Sequence, residues 1–161
     1  MGNMIKVGMA DLNVCVAPDA ITTLGLGSCV GVALYDKSTK IAGLVHVMLP
    51  DSTRVRQNSN KAKFADTGID ALIVEMRKKG ANISMLTAKI AGGAQMFAFN
   101  TDNSMLHIGA SNVEAVKTKL RTLGIQILAE DTGENYGRTV EFYPETGDFV
   151  IKAVGKSVTT I

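Results

Sequence analysis

One short stretch of this chain brings a thiol and an imidazole close together. Gly25-Leu26-Gly27-Ser28-Cys29-Val30-Gly31 runs into Val32-Ala33-Leu34-Tyr35, then a polar turn, then a return segment from Ile41 to Pro50 that carries His46. A cysteine beside a histidine is the smallest set that does nucleophilic acyl chemistry: the imidazole takes the thiol proton and the sulfur attacks a carbonyl carbon. Such a pair works only if the backbone holds it together. Asp36-Lys37-Ser38-Thr39 reads as a tight hairpin turn. With Lys37-Ser38 at its tip, Leu34 pairs with Ile41 and Cys29 with His46. Directly opposed antiparallel residues project to one face, with Cβ atoms roughly 4.5–5.5 Å apart. A turn of another length slips this register.

The alternation supports a hairpin. Val30, Val32 and Leu34 share one face with Ile41, Val45 and Val47, which reads as core. Cys29, Gly31 and Ala33 share the other with Ala42, Leu44 and His46. Small residues there leave room for a substrate or another backbone. Taken singly, Cys29 fits a small buried hydrophobe and His46 a satisfied core histidine. Their opposition beside two glycines is what favours chemistry. Complete ionisation of a thiol raises its reactive fraction at neutral pH only about thirtyfold. An oxyanion donor is worth about 10²–10³ more. The loop Gly27-Ser28-Cys29 is the natural source of such N–H donors, because glycine lets the chain expose them.

Other chemistries fit less well. Gly25, Gly27 and Gly31 give G-x-G-x-x-x-G followed by a strand, which departs from the dinucleotide fingerprint and its helix. Cys15, Cys29, His46 and His107, at spacings of 14, 17 and 61 residues, match no compact zinc arrangement. No metal and no cofactor are therefore expected. Cys15 reads as packing and His107 as structural. From Asp51 to Lys63 the chain carries Arg54, Arg56, Lys61 and Lys63 against one acid. That segment is either a solvated loop or a rim that steers an acidic partner, with Arg54 and Arg56 as docking candidates.

The elements that must hold these residues fit one domain spanning 1–161. A net charge of +2 without a basic, aromatic-laced stripe speaks against nucleic acid. No apolar run approaches the roughly 20 residues of a membrane span, and the N-terminus lacks a signal-type apolar segment. A cytoplasmic protein is expected, without a disulfide between Cys15 and Cys29. Met1 to Val7 is an apolar lead-in, and Leu12 to Ala17 and Ile21 to Leu24 read as strands. Phe64 to Lys79 is a helix with Ala65, Ile69, Leu72, Ile73 and Met76 inward and Gly80 as its stop. Met85 to Ile90 is a strand leading to Ala91-Gly92-Gly93-Ala94, where the double glycine either borders a site or makes a plain turn. Gln95 to Asn103 is irregular, and Ser104 to Ile108 reads as another strand. Ser111-Asn112-Val113-Glu114 is a capping box for a second helix with Val113, Val116, Leu120 and Leu123 inward, ending at Gly124. Ile125 to Ala129, Arg138 to Tyr143 and Asp148 to Val154 read as an antiparallel meander. The expected class is α+β: a layered sandwich of two packed β-sheets with two long helices on one side.

Five stretches, in order along nearly the whole chain, resemble the chemoreceptor glutamine deamidases of the CheD family. They are Thr23-Leu24-Gly25-Leu26-Gly27-Ser28-Cys29, Ala42 to Pro50, Lys89 to Ala94, Ile108 to Val116 and Leu128 to Gly133. Ser111 stands where that pattern has arginine, and Glu134 where it has a second glycine. The resemblance implies hydrolysis of receptor glutamine side chains to glutamate, with Cys29 and His46 catalytic and Thr23 supporting the imidazole. It implies a fold similar to deamidases of the cytotoxic necrotizing factor type. It also implies a chemotaxis receptor as substrate, a CheC-type phosphatase as partner, and in some members a receptor methylesterase activity. A monomer or heterodimer is expected. Two other readings are a module that mainly binds and activates the phosphatase, and a cysteine amidase acting on a free small molecule.

Overall fold

The computed structural model describes residues 2–96 and 107–161. In chain order the elements are β1 (Met4–Val7), β2 (Leu12–Val16), β3 (Ala20–Leu26), β4 (Val30–Asp36), β5 (Ile41–Val47), α1 (Ala65–Lys79), β6 (Thr87–Gly92), α2 (Ile108–Thr122), β7 (Gln126–Thr132), β8 (Arg138–Tyr143), β9 (Asp148–Lys152) and β10 (Thr159–Thr160). Strands β4 and β5 are buried along their entire length. They are apolar on both faces, so both faces must be covered, and that dictates three layers.

One sheet runs β2-β5-β4-β6-β7 and the other β1-β3-β8-β9-β10. Val30, Val32, Leu34, Ile41, Val45 and Val47 pack under α1 and α2, against Ile69, Leu72 and Met76 of the first and Val116 and Leu120 of the second. Burying each of these large side chains is worth about 1.5–3 kcal/mol. The opposite face is closed by the other sheet, where Ala33, Ala42 and Leu44 meet Ile21, Val140, Phe142 and Phe149. The expected class is therefore the observed one: α+β, two packed sheets, both helices on one side. The small-residue face is not an open floor. It is a second core, and Gly31 is small because a Cβ there would come within 3.1 Å of Leu26.

Several boundaries differ from expectation. The lead-in contains β1, which pairs in parallel with β3. The C-terminal strands are no meander: β7 pairs in parallel with β6, while β8 and β9 pair in the other sheet. Parallel neighbours need a long crossover, and α2 supplies it. Helix α2 begins at Ile108 with His107 as its N-cap, so the Ser111 capping box lies inside the first turns and Ile108 belongs to no strand. The reason is close packing: a Cβ on Gly109 would lie 2.3 Å from the Ala94 carbonyl oxygen, so only glycine lets the first turn press against that backbone. Leu123 is left 39% exposed rather than inward. The irregular segment expected up to Asn103, and Ser104 with its neighbours, fall largely outside the described residues. Helix α1 ends as expected at Gly80, which takes a φ of 107°.

Arg138 latches the two sheets beside the end of β3. Its buried guanidinium donates to Asp131 Oδ1 and to the Gly133 carbonyl, both at 3.0 Å. Among the described residues no helix is long and apolar enough to cross a membrane.

Candidate active site

The hairpin register is slipped by two residues from the expected one. Gly31, not Cys29, lies opposite His46, and Asp36 lies opposite Ile41. The turn has four residues, not two. Asp36 accepts from the Ser38 N–H and hydroxyl at 2.9 and 2.6 Å, and from the Thr39 hydroxyl and Asn82 N–H at 2.9 and 2.8 Å. Lys40 closes the turn at a φ of 58°. Because the shift is even, every side chain keeps its face. Cys29 lies one residue before the paired register and packs in the same inter-sheet core that His46 faces, with no hydrogen bond between its thiol and the imidazole.

Thr23, in β3, reaches the imidazole from the other sheet. Its Oγ1 lies 2.8 Å from His46 Nδ1 and 2.7 Å from the Val7 carbonyl oxygen. A hydroxyl has one proton, and a carbonyl can only accept. That proton goes to Val7, so Nδ1 must be the donor to Thr23 and the neutral ring carries its proton there. Nε2 is left as a bare lone pair, fully buried and without a hydrogen-bond partner among the described residues. A buried acceptor left idle is a cost that folding alone does not explain.

Burial pushes the Cys29 thiol above its ordinary 9.0 and the His46 imidazole below 6.5. The resting pair is thus a neutral thiol and a neutral imidazole, and a pre-ionised sulfur is not what this environment favours.

Cys29 sits in a bend between β3 and β4 whose carbonyls are all tied down. The Gly27 carbonyl accepts from Ala94 N at 2.9 Å, the Ser28 carbonyl from Asn112 Nδ2 at 2.9 Å, and the Cys29 carbonyl from Gly93 N at 2.8 Å. Nothing among the described residues accepts from the backbone N–H of Ser28 or Cys29. The double glycine borders this bend rather than making a plain turn. Both residues take positive φ, and a Cβ on Gly92 would lie 2.3 Å from the Cys29 carbonyl oxygen. Glu134, standing where the resembled pattern has glycine, still adopts a glycine-like φ of 62°.

Thr23 and His46 therefore meet across the two sheets, and Gly27, Ser28 and Cys29 form the bend that joins β3 to β4 beside them. Arg54 and Arg56 are exposed. Arg54 pairs loosely with Asp51 at 3.5 Å and borders a groove of about 830 Å³ beside α2. None of the three side chains Thr23, Cys29 and His46 lines that groove. Cys15 is buried as expected, and both cysteines are free thiols. Asn112 was not singled out from the sequence. Its signal was an amide on the buried stripe Gly109, Asn112, Val116, Leu120 of α2.

The family model described as CheD chemotactic sensory transduction matches residues 48–153. A "probable chemoreceptor glutamine deamidase CheD" of Lachnoclostridium phytofermentans is 65% identical over 97% of both chains. A "chemoreceptor glutamine deamidase CheD" of Halalkalibacterium halodurans is 56% identical over 96% of both, and one of Bacillus licheniformis 48% identical over 99% of this chain and 95% of its own. These matches span the cysteine loop and hairpin that precede the family-model segment. Among solved structures, the hypothetical protein YfiH of Bacillus licheniformis aligns at a TM-score of 0.43 and 17% identity over 72% of this chain and 47% of that one.

Proposed function

The chain belongs to the CheD family, and from that premise we propose that it hydrolyses selected glutamine side chains of chemotaxis receptors to glutamate, releasing ammonia through a thioester on Cys29. The relatives' names supply the substrate class. The single observation that carries the mechanism is the buried, unpartnered Nε2 of His46, its tautomer fixed by Thr23.

On this reading the steps run as follows. His46 Nε2 takes the Cys29 thiol proton as the sulfur attacks the carboxamide carbon, so charge forms only when substrate is present. The N–H groups of Ser28 and Cys29, in the bend opened by Gly27, receive the oxygen that becomes negative. The imidazolium then protonates the amide nitrogen, the C–N bond breaks, and ammonia leaves. His46 Nε2 next deprotonates a water that attacks the thioester. Collapse frees the glutamate carboxylate and returns the proton to sulfur. Thr23 keeps Nδ1 protonated throughout, as the third member of a triad does. The same carbonyl chemistry extends to glutamate methyl esters, with methanol as leaving group. The proposal includes a single deamidase domain over 1–161, at work in the cytoplasm, alone or paired with a CheC-type phosphatase for which Arg54 and Arg56 are the candidate contacts.

The test is a receptor cytoplasmic fragment incubated with the protein, with ammonia measured and Gln-to-Glu conversion located by peptide mass spectrometry. Wild-type protein should convert defined glutamines, and Cys29→Ala should convert none. Equal ammonia release from free glutamine would remove the receptor from the account, and conversion by Cys29→Ala would remove the thioester.

A further inference from the structure

We propose that Asn112 is a positioning residue for this chemistry: from helix α2 it holds the Ser28 carbonyl back and thereby aims the Cys29 N–H at the developing oxyanion. The inference rests on acyl chemistry at Cys29.

Asn112 is fully buried, and its Nδ2 donates to two carbonyl oxygens, of Ser28 and of Met48, each at 2.9 Å. Two acceptors on one side settle which end of the amide is nitrogen. One side chain therefore ties the nucleophile's bend, the segment just past His46, and the helix together. Its Oδ1 has no partner among the described residues. An apolar side chain would fill the same space without burying an idle acceptor, so packing alone does not account for an asparagine here.

The consequence follows from peptide geometry. In a planar trans peptide the C=O and the following N–H point in opposite directions. Fixing the Ser28 carbonyl toward α2 therefore turns the Cys29 N–H away from the helix. The preceding peptide is set the same way, because the Gly27 carbonyl is held by Ala94 N and the Ser28 N–H faces away from it. Two consecutive N–H groups are thus presented with no partner among the described residues. Of the two restraints, Ala94 acts through its backbone. Asn112 acts through a side chain, and it is the one a substitution can remove. Gly109 lets the helix come close enough for this reach.

Two reagents separate aiming an N–H from merely holding the loop. Acetylation of Cys29 by p-nitrophenyl acetate passes through a tetrahedral oxyanion and expels p-nitrophenolate. Alkylation by iodoacetamide displaces iodide at saturated carbon and makes no oxyanion. Both are read at Cys29 by peptide mass in full-length wild-type protein and in Asn112→Ala. Acetylation should fall about 10²-fold while alkylation stays at the wild-type rate. Receptor deamidation should lose kcat in the same proportion with KM unchanged. Should Asn112→Ala not melt cooperatively, Asn112→Ser takes its place, and its single donor should give a smaller drop of the same kind. Parallel loss of acetylation and alkylation, or loss of neither, overturns the proposal. If wild-type protein deamidates no receptor yet the two reagents still separate, the deamidase reading falls and the role of Asn112 stands.

Discussion

Cys15 and Cys29 face the same inter-sheet core, both buried and both free thiols, yet their surroundings differ in every respect that matters to a nucleophile. Cys15 lies within a strand ladder opposite Ala42. Burial, with the charge of Asp19 adding to it, pushes its thiol up to about 12. Its sulfur donates to the Asp19 carbonyl, 3.9 Å away. Cys29 is also pushed upward by burial, but it shares its face with a bare imidazole nitrogen, and its own N–H has no partner among the described residues. Burial does not distinguish the two. The orphaned imidazole nitrogen on the face of Cys29 and the unspent backbone donors of its bend do.

The contrast breaks most sharply by exchange of roles. Cys29→Ala should cost about 10⁴-fold or more in receptor deamidation, while Cys15→Ala should leave it unchanged. Ammonia assays on both variants decide this, and a comparable loss from Cys15→Ala would erase the distinction. His46→Ala should cost about 10²–10⁴-fold, the usual worth of a general base.

Thr23→Val sharpens the account further. It removes the hydroxyl that fixes the tautomer, leaving Nδ1 buried without its partner and the Val7 carbonyl one donor short. Deamidation should fall about 10- to 100-fold, and the orphaned Nδ1 should destabilise the fold by about 1–3 kcal/mol. Both are measurable, by kcat and by denaturant titration. Activity equal to wild type would show that the hydrogen bond is structural only.

The smallest effect lies in stability against pH. His46 has its folded-state pKa lowered, so its contribution is complete above about 6.5 and is lost as pH falls through the lowered value. Cys15 and Cys29 have theirs raised, so their contribution is complete below 9.0 and is lost as pH rises, for Cys15 up to about 12. Denaturant titrations across pH should therefore plateau between these limits. Cys15→Ala should flatten part of the alkaline limb and leave the acid limb alone.

The faces of the hairpin were legible in the sequence because alternation survives an even slip. The register was not, since it depends on Lys40 adopting a positive φ and on Asp36 spending its carboxylate on the turn. Local spacing put Cys29 and His46 on one face of the hairpin but opposite each other, where the ladder sets Gly31 against His46 instead. Thr23 could be named only through the family resemblance, because its contacts need β1 beside β3 and one sheet across the other. The placement of β7 likewise depended on α2 acting as a crossover, which no local pattern reveals. Asn112 broke an apolar stripe in plain view, but what it touches lies 64 and 84 residues away.

The most direct measurement follows the alkylation of both cysteines in one sample, from about pH 5 to 9, by peptide mass spectrometry. If His46 is the base for Cys29, its rate should rise as the imidazole loses its proton below pH 6.5 and then hold level toward pH 9, a plateau that His46→Ala abolishes. Cys15 should climb steadily with pH and show no plateau. A Cys29 profile that tracks the Cys15 climb, unchanged by His46→Ala, would contradict the account.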